Sequence, residues 1–292
     1  MALAGRKPSN EIRFCWEQVL RTNRLFRIST VFAPPDRARQ LLPLYALLGA
    51  VEEISSKHSD EDLARRKLDW WRQEFARLEN RGSEHPILRE LVDSGAYEAI
   101  RKDSLAQLFD DAESRLDPRA PSDIDGLKSL CSKLIQPQFE LELSLSGEKL
   151  ESVPSLDGLA AVSGLAQLLR ESCRSRPPAG YWWFPLSLMA RHGIIRADIA
   201  HGHRPDPAAQ ALFADLLGSC LDWTSAPESA GPRPKQGVAA ARHLVVLGEL
   251  QAAALRRLQL SQPGRFAADL TRVGLPQLYR AWKSARIVAA AV

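Results

Sequence analysis

Four charged side chains in two separate segments have types and spacings that could do chemistry. Glu52 and Glu171 carry carboxylates that could together hold a cation or an amine. Arg170 and Arg174 are four residues apart, so on a helix they share a face and could clamp a phosphate through charge-assisted hydrogen bonds. Alternatively, the arginines pair with the two glutamates and form a structural ion-pair network. We favour this second interpretation, with the glutamates in salt bridges or partly exposed.

Other residues of chemically reactive or metal-binding types give weaker indications of function. The cysteines are widely scattered, without a C-x-x-C pair or a histidine at zinc spacing, so we expect core residues in a reducing compartment. His201 and His203 have no third metal ligand in view and fit a polar loop. Tandem aromatic residues at 70–71 and 181–184 are typical of helix packing. An alternative for the second group is an exposed contact with a membrane or a partner.

Helical periodicity dominates the elements that must position these side chains. Apolar residues recur at a spacing of three to four, while the alternating patterns and turn dipeptides of β-strands are absent. Prolines and capping residues divide the pattern into separate helices. The sequence predicts helices at 11–31, 36–56, 60–78, 86–94, 97–116, 123–146, 156–174, 185–192, 207–222, 236–260 and 276–291.

Composition and charge narrow the class of protein. We expect a single domain over residues 1–292, with a flexible tail at 1–10 and a mobile loop at 226–237, where three prolines occur. The net charge of +4 comes with arginines spread along the chain, which argues against nucleic-acid binding. No apolar run reaches the roughly 20 residues of a membrane span, and the N-terminus lacks the apolar stretch of a secretory signal. We expect a soluble, cytoplasmic protein, with a peripheral membrane location as an alternative.

Four stretches of the chain resemble one protein family, in the same order. Residues 44–56 (LYALLGAVEEISS) are similar to the L-Y-A-F-x-R-x-x-D-D-x-x-D segment of the squalene/phytoene synthase family. Residues 70–86 resemble its W-R-x-E…H-P pattern, and residues 164–170 (GLAQLLR) resemble the helix that leads to its second acidic motif. Residues 181–193 (YWWFPLSLMARHG) resemble its Y-L-P-x-x-x-L-x-x-x-G pattern. The likeness covers roughly residues 20–290, and four pieces in order argue against chance.

This resemblance implies a fold and a chemistry. The expected fold is all-α, a single-domain isoprenoid-synthase-like helical bundle around a central cavity, with the helices at 36–56 and 156–174 facing each other across it. That family condenses two prenyl diphosphates head to head, and Mg²⁺ held by facing acidic motifs neutralises the departing pyrophosphate. The candidate cavity residues are Phe26, Tyr45, Arg170 and Arg174.

Both acidic motifs depart from the family pattern. The first, D-D-x-x-D, becomes EEISS at residues 52–56, which leaves an uncharged serine one turn after the first carboxylate. The second, D-x-x-E-D, becomes ESCRS at residues 171–175, and its arginine would repel Mg²⁺. The remnant motif positions are Glu52, Glu53, Ser56, Glu171, Arg174 and Ser175.

Two further departures concern the cavity. Gly49 stands where the family has a phosphate-contacting arginine. Leu130 aligns with a tyrosine that assists the rearrangement in the family, and bulky side chains follow where the family has small ones. Pro137, within the same predicted helix, is expected to bend it.

These departures lead to two functional hypotheses. The first is a non-catalytic pseudoenzyme without a cofactor, which binds an isoprenoid, a lipid or a protein partner, as a binding or assembly protein like the complex I assembly factors that resemble this family. The alternative is an active prenyltransferase in which Glu52 and Glu171 bind Mg²⁺ with unusual ligation. The number of carboxylates that face the cavity distinguishes the two hypotheses. An active Mg²⁺ site of this family needs about four to six, and the sequence offers only Glu52 and Glu171.

Overall fold

The computed structural model describes residues 9–57, 60–149, 156–174, 182–195, 207–224, 241–258 and 275–290. Within these residues the chain forms thirteen α-helices, two short 3₁₀-helices and no β-strand, which confirms the predicted all-α fold. The α-helices are α1 (Asn10–Thr22), α2 (Phe26–Ser29), α3 (Pro35–Lys57), α4 (Glu61–Arg81), α5 (Pro86–Asp93), α6 (Ala96–Ala99), α7 (Lys102–Ser114), α8 (Ile124–Ser144), α9 (Asp157–Arg174), α10 (Leu186–His192), α11 (Pro207–Leu221), α12 (Arg242–Leu258) and α13 (Leu275–Ala290). The 3₁₀-helices are Thr30–Phe32 and Asp222–Thr224.

Polar capping residues set where several helices begin. Ser9, Asp60 and Asp123 each accept a backbone N–H from the first turn of α1, α4 and α8, respectively. These bonds satisfy amides that have no partner within the helix. Ser9 and Asn10 therefore belong to the start of α1, whereas we expected them in the flexible tail.

Two glycines let helices cross at short range around the centre of the molecule. A Cβ atom on Gly164 of α9 would overlap the backbone of Cys131 on α8, so these helices meet backbone to backbone. A Cβ atom on Gly49 of α3 would lie 2.5 Å from the Thr22 hydroxyl oxygen on α1. Because neither crossing leaves room for a side chain, α9 is fixed against α8 and α3 against α1.

The predicted helices differ from the observed ones in two places. The predicted helix at 11–31 ends at Thr22, because Asn23 has a non-helical backbone (φ −142°, ψ 87°), and α2 and a 3₁₀-helix follow. The predicted helix at 97–116 is two helices, because Ile100 is extended (ψ 144°) between α6 and α7. α8 continues through Pro137 without interruption. The loop predicted at 226–237 lies outside the described residues.

No apolar run of the sequence is long enough for a membrane span, and the helices of the structure can be compared with that expectation. In the described part of the chain, no helix is both long enough and apolar enough to cross a bilayer.

Candidate functional site

One face of α3 turns inward and carries the first remnant motif. Leu41, Tyr45, Leu48 and Glu52 follow one another at helical spacing and are all buried. A cavity of about 30 Å³ lies between Glu52 on α3 and Gln167 on α9, with α7 and α8 forming its other walls. That volume has room for one or two water molecules. The two helices therefore face each other across a cavity, as the sequence predicted.

An arginine binds the carboxylate of the second remnant motif. Arg115, the residue that caps the C-terminus of α7, places Nη1 3.0 Å from Glu171 Oε1, and the two side chains are 13% and 9% exposed. Arg115 Nη2 donates a hydrogen bond to Ser55 Oγ on α3. Gln167 Nε2 donates to the same Glu171 oxygen at 2.9 Å. This Arg115 network (Arg115, Glu171, Ser55 and Gln167) links α3, α7 and α9 where the two motifs meet.

A carboxylate that the sequence analysis did not nominate lines the same cavity. Asp111 lies one turn before Arg115 on α7, and its Oδ1 accepts a hydrogen bond from Gln107 Nε2 at 2.7 Å. Burial raises the pKa of Asp111, although the bond from Gln107 and the charge of Arg115 oppose the rise. The cavity wall therefore carries two carboxylates, from Glu52 and Asp111, together with the guanidinium of Arg115.

The remaining positions of the second motif are only partly described. Arg170 is buried on α9, with 9% of its surface exposed. Arg174 ends α9, but its side chain and Ser175 lie outside the described residues. The pairing of Arg170 and Arg174 with the glutamates therefore stays a prediction, and the partner seen on Glu171 is Arg115.

The two adjacent glutamates of the first motif serve different sides of α3. Glu53 Oε2 accepts hydrogen bonds from Arg21 Nη2 at 2.7 Å and Gln18 Nε2 at 3.2 Å, both on α1. It lines an open surface groove of about 390 Å³ beside α4, whereas Glu52 lines the inner cavity. Neighbouring helical residues point about 100° apart, so the two carboxylates do not act as a pair. Ser56, one turn after Glu52, is half-buried on α3.

The tandem aromatic residues divide between core and surface. Trp71 is 4% exposed, as expected for helix packing, whereas Trp70 is 41% exposed. Trp183 and Phe184 are fully buried and stack with ring centroids 4.5 Å apart. The alternative of an exposed contact at this second group is therefore wrong for these two residues. Tyr181 lies outside the described part of the chain.

A second polar network is fully enclosed in the core. His243 on α12 places Nδ1 2.9 Å from Glu142 Oε1 on α8, and Nε2 2.9 Å from Ser29 Oγ on α2. The Tyr45 hydroxyl on α3 donates to Glu142 Oε2 at 2.6 Å and accepts from Gln138 Nε2 at 3.1 Å. We refer to these five residues as the His243 network. Sequence motifs indicated none of its contacts.

The polar groups of the His243 network lie within hydrogen-bonding distance of one another. His243 Nδ1 faces Glu142 Oε1, and Nε2 faces Ser29 Oγ, whose hydroxyl donates to the carbonyl oxygen of Phe26 at 3.1 Å. Burial and the charge of Glu142 raise the pKa of Tyr45, so its phenol stays protonated and remains a donor. The serine–histidine–carboxylate order occurs in hydrolases, but Ser29 is 0% exposed and no substrate reaches it. The network is structural.

Phe26 and Tyr45, nominated as cavity residues, pack against each other in this core. Their ring centroids are 4.6 Å apart, and the His243 ring meets both edge-on at 5.5 and 5.2 Å. Aromatic pairs at these distances are favourable beyond the area that they bury. The structure therefore brings the two candidates together, as packing partners of His243.

Comparison with known proteins decides the family. The family model for squalene/phytoene synthase matches residues 20–272. The chain therefore belongs to the squalene/phytoene synthase family.

Two solved structures share its fold. A dehydrosqualene synthase in complex with ligand has 14% identity and a TM-score of 0.69, covering 96% of this chain and 95% of that chain. Squalene synthase HpnC from Alicyclobacillus acidocaldarius has 16% identity and a TM-score of 0.60, covering 86% and 95%. No curated protein matches the chain.

The Mg²⁺ that the family's acidic motifs imply does not fit the residues of this site. Glu171 already accepts hydrogen bonds from Arg115 and Gln167 at one oxygen, and the guanidinium would repel a metal ion. Among the described residues, no three His, Cys, Asp or Glu side chains are grouped so that they could hold a metal ion. Mg²⁺ prefers an octahedral shell of oxygens, which this donor set does not supply.

Close packing explains why position 49 is a glycine, where the resemblance places an arginine in the family. A side chain at position 49 would start 2.5 Å from Thr22 Oγ1, so α1 occupies the space that the arginine of the squalene/phytoene synthase family would need. Arginine at this position would require Thr22 or α1 to move. The loss of the arginine is therefore linked to the close packing of α1 on α3.

Sequence reasoning missed Arg115 and Asp111 at the cavity. Both lie on or at the end of α7, a helix that no motif of the family marked in this sequence. Their one-turn spacing, with opposite charges, was visible but is common on solvated helices. Only the packing of α7 against α8 and α3 brings them inward.

Proposed function

We propose that this member of the squalene/phytoene synthase family is a pseudoenzyme, which acts as an isoprenoid- or lipid-binding or assembly protein and does not condense prenyl diphosphates. The Arg115–Glu171 ion pair carries the proposal, because a guanidinium 3.0 Å from the carboxylate supplies the positive charge that a metal ion would bring. Both side chains are nearly buried. Removing Arg115 would break this buried ion pair, a change that usually destabilises a protein.

The space between the motifs supports the same conclusion. The cavity between Glu52 and Gln167 measures about 30 Å³. Ordinary ligand pockets begin at roughly 300 Å³, so this cavity cannot take a diphosphate together with its metal ions. At Gly164 and Cys131, α9 and α8 are also in backbone contact, so no ligand fits between the two helices at that point.

Product analysis tests the catalytic half of the proposal. Purified protein with farnesyl or geranylgeranyl diphosphate, Mg²⁺ and NADPH is expected to form neither squalene nor phytoene, while an active dehydrosqualene synthase in parallel converts its substrate. Mg²⁺ with pyrophosphate is expected to leave the melting temperature unchanged, because a ligand without a site gives no linkage. Mg²⁺-dependent turnover that Glu52→Ala abolishes would overturn the proposal.

Native mass spectrometry tests the binding half. Retention of one long-chain isoprenoid alcohol or squalene molecule would support the binding role, at a site other than the 30 Å³ cavity. If no isoprenoid or lipid is retained, the assembly role alone would remain. An isoprenoid alcohol is the sharper probe, because it has the apolar chain without the diphosphate. Retention of the diphosphate but not of the alcohol would instead point to the catalytic alternative.

One observation favours the alternative of an active prenyltransferase with unusual metal ligation. Asp111 gives the cavity a second carboxylate beside Glu52, from a helix that the family motifs do not include. Glu52, Asp111 and Glu171 would have to move closer together to share a metal ion, because no three acidic side chains of the described residues are so grouped. The assay above decides this, and loss of turnover in Asp111→Asn would identify the new ligand.

A further inference from the structure

Among the described side chains of α13, the buried ones are small or polar. Gln277, Ala281 and Ala285 follow one another at four-residue spacing and are 7%, 0% and 2% exposed. This stripe packs toward α12, where Arg242 Nη2 donates to the carbonyl oxygen of Ala285 at 3.0 Å. Small residues let the two helices approach closely but bury little apolar area of their own.

The outer face of the same helix carries three large apolar side chains. Leu278, Tyr279 and Trp282 are 41%, 62% and 44% exposed. A helix that only packs on its neighbours places such residues inward, whereas these described side chains of α13 face outward. Val31, on the 3₁₀-helix that α13 contacts, is also 62% exposed. An exposed apolar patch of this kind marks an interaction site.

Positive charge surrounds these aromatic residues. Arg280, Lys283 and Arg286 are exposed on α13, and residues 275–290 contain no aspartate or glutamate. The Arg286 guanidinium carbon lies 4.8 Å from the Trp282 ring centroid, and the Tyr279 and Trp282 rings are 5.8 Å apart. The outer face of α13 is therefore a continuous aromatic and cationic surface with a net charge of +3.

We propose that the outer face of α13 (Leu278, Tyr279, Arg280, Trp282, Lys283 and Arg286) docks on an anionic lipid bilayer. Tyrosine and tryptophan have an apolar ring with a polar tip and settle at the level of lipid headgroups. Exposed lysine and arginine beside them are attracted to the negative charge of the membrane surface. The two together are the features of a helix that lies along a membrane without crossing it. This surface is separate from the Arg115 cavity and does not depend on the proposed function.

Vesicle sedimentation with the full chain tests this surface. The wild type is expected to bind vesicles that contain phosphatidylglycerol and to bind pure phosphatidylcholine vesicles much more weakly. Each basic residue near an anionic surface contributes about fivefold, so Arg280→Gln/Lys283→Gln/Arg286→Gln should lower the partition coefficient by about 100-fold. Tyr279→Ala/Trp282→Ala should lower it by roughly tenfold, because two interfacial rings are lost.

Matched control variants separate this face from general charge and exposure. Arg65→Gln/Arg66→Gln/Lys67→Gln removes three positive charges from α4, and Trp70→Ala removes a tryptophan of similar exposure. Apart from the general effect of a lower net charge, neither variant is expected to change the partition coefficient by more than about twofold. Circular dichroism melting confirms that every variant is folded.

Two outcomes would overturn the proposal. One is a wild type that does not sediment with anionic vesicles, in which case a protein partner would be the occupant to seek. The other is an α4 charge variant that loses as much binding as the α13 charge variant, because the attraction would then come from the whole chain. Quenching of tryptophan fluorescence by brominated lipid gives an independent readout, and it should fall when Trp282 is replaced by phenylalanine.

Discussion

The Arg115 network and the His243 network use buried polar groups in opposite ways. The first joins full charges, Arg115 and Glu171, beside a cavity with room for a water molecule or two. The second surrounds one carboxylate, Glu142, with hydroxyl and imidazole groups. Apart from Gln138, each of its members is less than 5% exposed. α3 contributes a residue to each, Ser55 and Tyr45, respectively.

The difference shows how position decides the chemistry of a buried polar group. Near water, an ion pair is tolerated because part of the desolvation cost is relieved. In the closed core, hydrogen bonds with a phenol and an imidazole satisfy both oxygens of the Glu142 carboxylate. The first network therefore stabilises by compensating charge, and the second by satisfying every donor and acceptor.

The largest expected effect comes from breaking the charged network. Arg115→Met removes the guanidinium that lies 3.0 Å from Glu171, and breaking one partner of a buried ion pair costs about 3–5 kcal/mol. The free energy of unfolding, measured with urea, should fall by that amount. Adding Glu171→Gln to the same protein should restore most of it, because the carboxylate of the broken pair is then replaced by an uncharged amide. If the single variant is as stable as the wild type, the pair is solvated and the comparison between the networks fails.

A smaller loss of stability is expected in the His243 network. Tyr45→Phe removes one hydroxyl that donates to Glu142 at 2.6 Å, while His243 still binds the other carboxylate oxygen. Loss of one hydrogen bond to a charged group should cost about 1–3 kcal/mol in thermal or urea unfolding. Tyr279→Phe, which changes a 62% exposed residue, serves as the control and should be nearly neutral. A loss larger than that of Arg115→Met would reverse the order of the two networks.

The smallest effect has the opposite sign. Because burial raises the pKa of Asp111 in the folded state, the folded protein holds this proton more tightly than the unfolded chain. Its contribution to stability is present below about pH 4, the range of an unfolded aspartate, and is lost as pH rises through the folded pKa. Asp111→Asn should therefore be slightly more stable than wild type at pH 7, by less than about 1 kcal/mol, and should lose this advantage in acid.

A neighbouring residue provides the control for this pH dependence. Asp117 is exposed two residues after the C-cap of α7, so Asp117→Asn serves as the matched variant that removes a solvated carboxylate. A destabilised Asp111→Asn at pH 7 would show that the attraction of Arg115 outweighs burial. That result would make Asp111 a full member of the Arg115 network.

Much of the fold could be predicted from sequence, because helix periodicity and capping residues act locally. Asp60 and Asp123 mark helix starts that the structure retains. The break at Asn23 was missed because the apolar spacing continues across it through Leu25 and Phe26, and only tertiary packing shows where the helix ends. The family and the two remnant motifs were also visible, since each is a short contiguous pattern.

The site was less predictable, because its partners come from distant segments. Glu171 could be nominated from its motif, but its partner Arg115 is 56 residues away and carries no motif signal. His243 and Glu142 are 101 residues apart, and each alone is an ordinary polar residue in an apolar helix. Long-range pairing of this kind depends on how α7, α8 and α12 pack, and a single sequence does not specify that packing.

The contact between Thr22 and position 49 couples the two positions in any redesign of the protein. The Cβ atom of an arginine placed at position 49 would lie 2.5 Å from the Thr22 hydroxyl oxygen. A smaller residue at position 22 is therefore needed before position 49 can carry a side chain. The two substitutions are expected to be non-additive in their effects on stability, because each changes the space that is open to the other. A cation at position 49 would require α1 and α3 to be redesigned together.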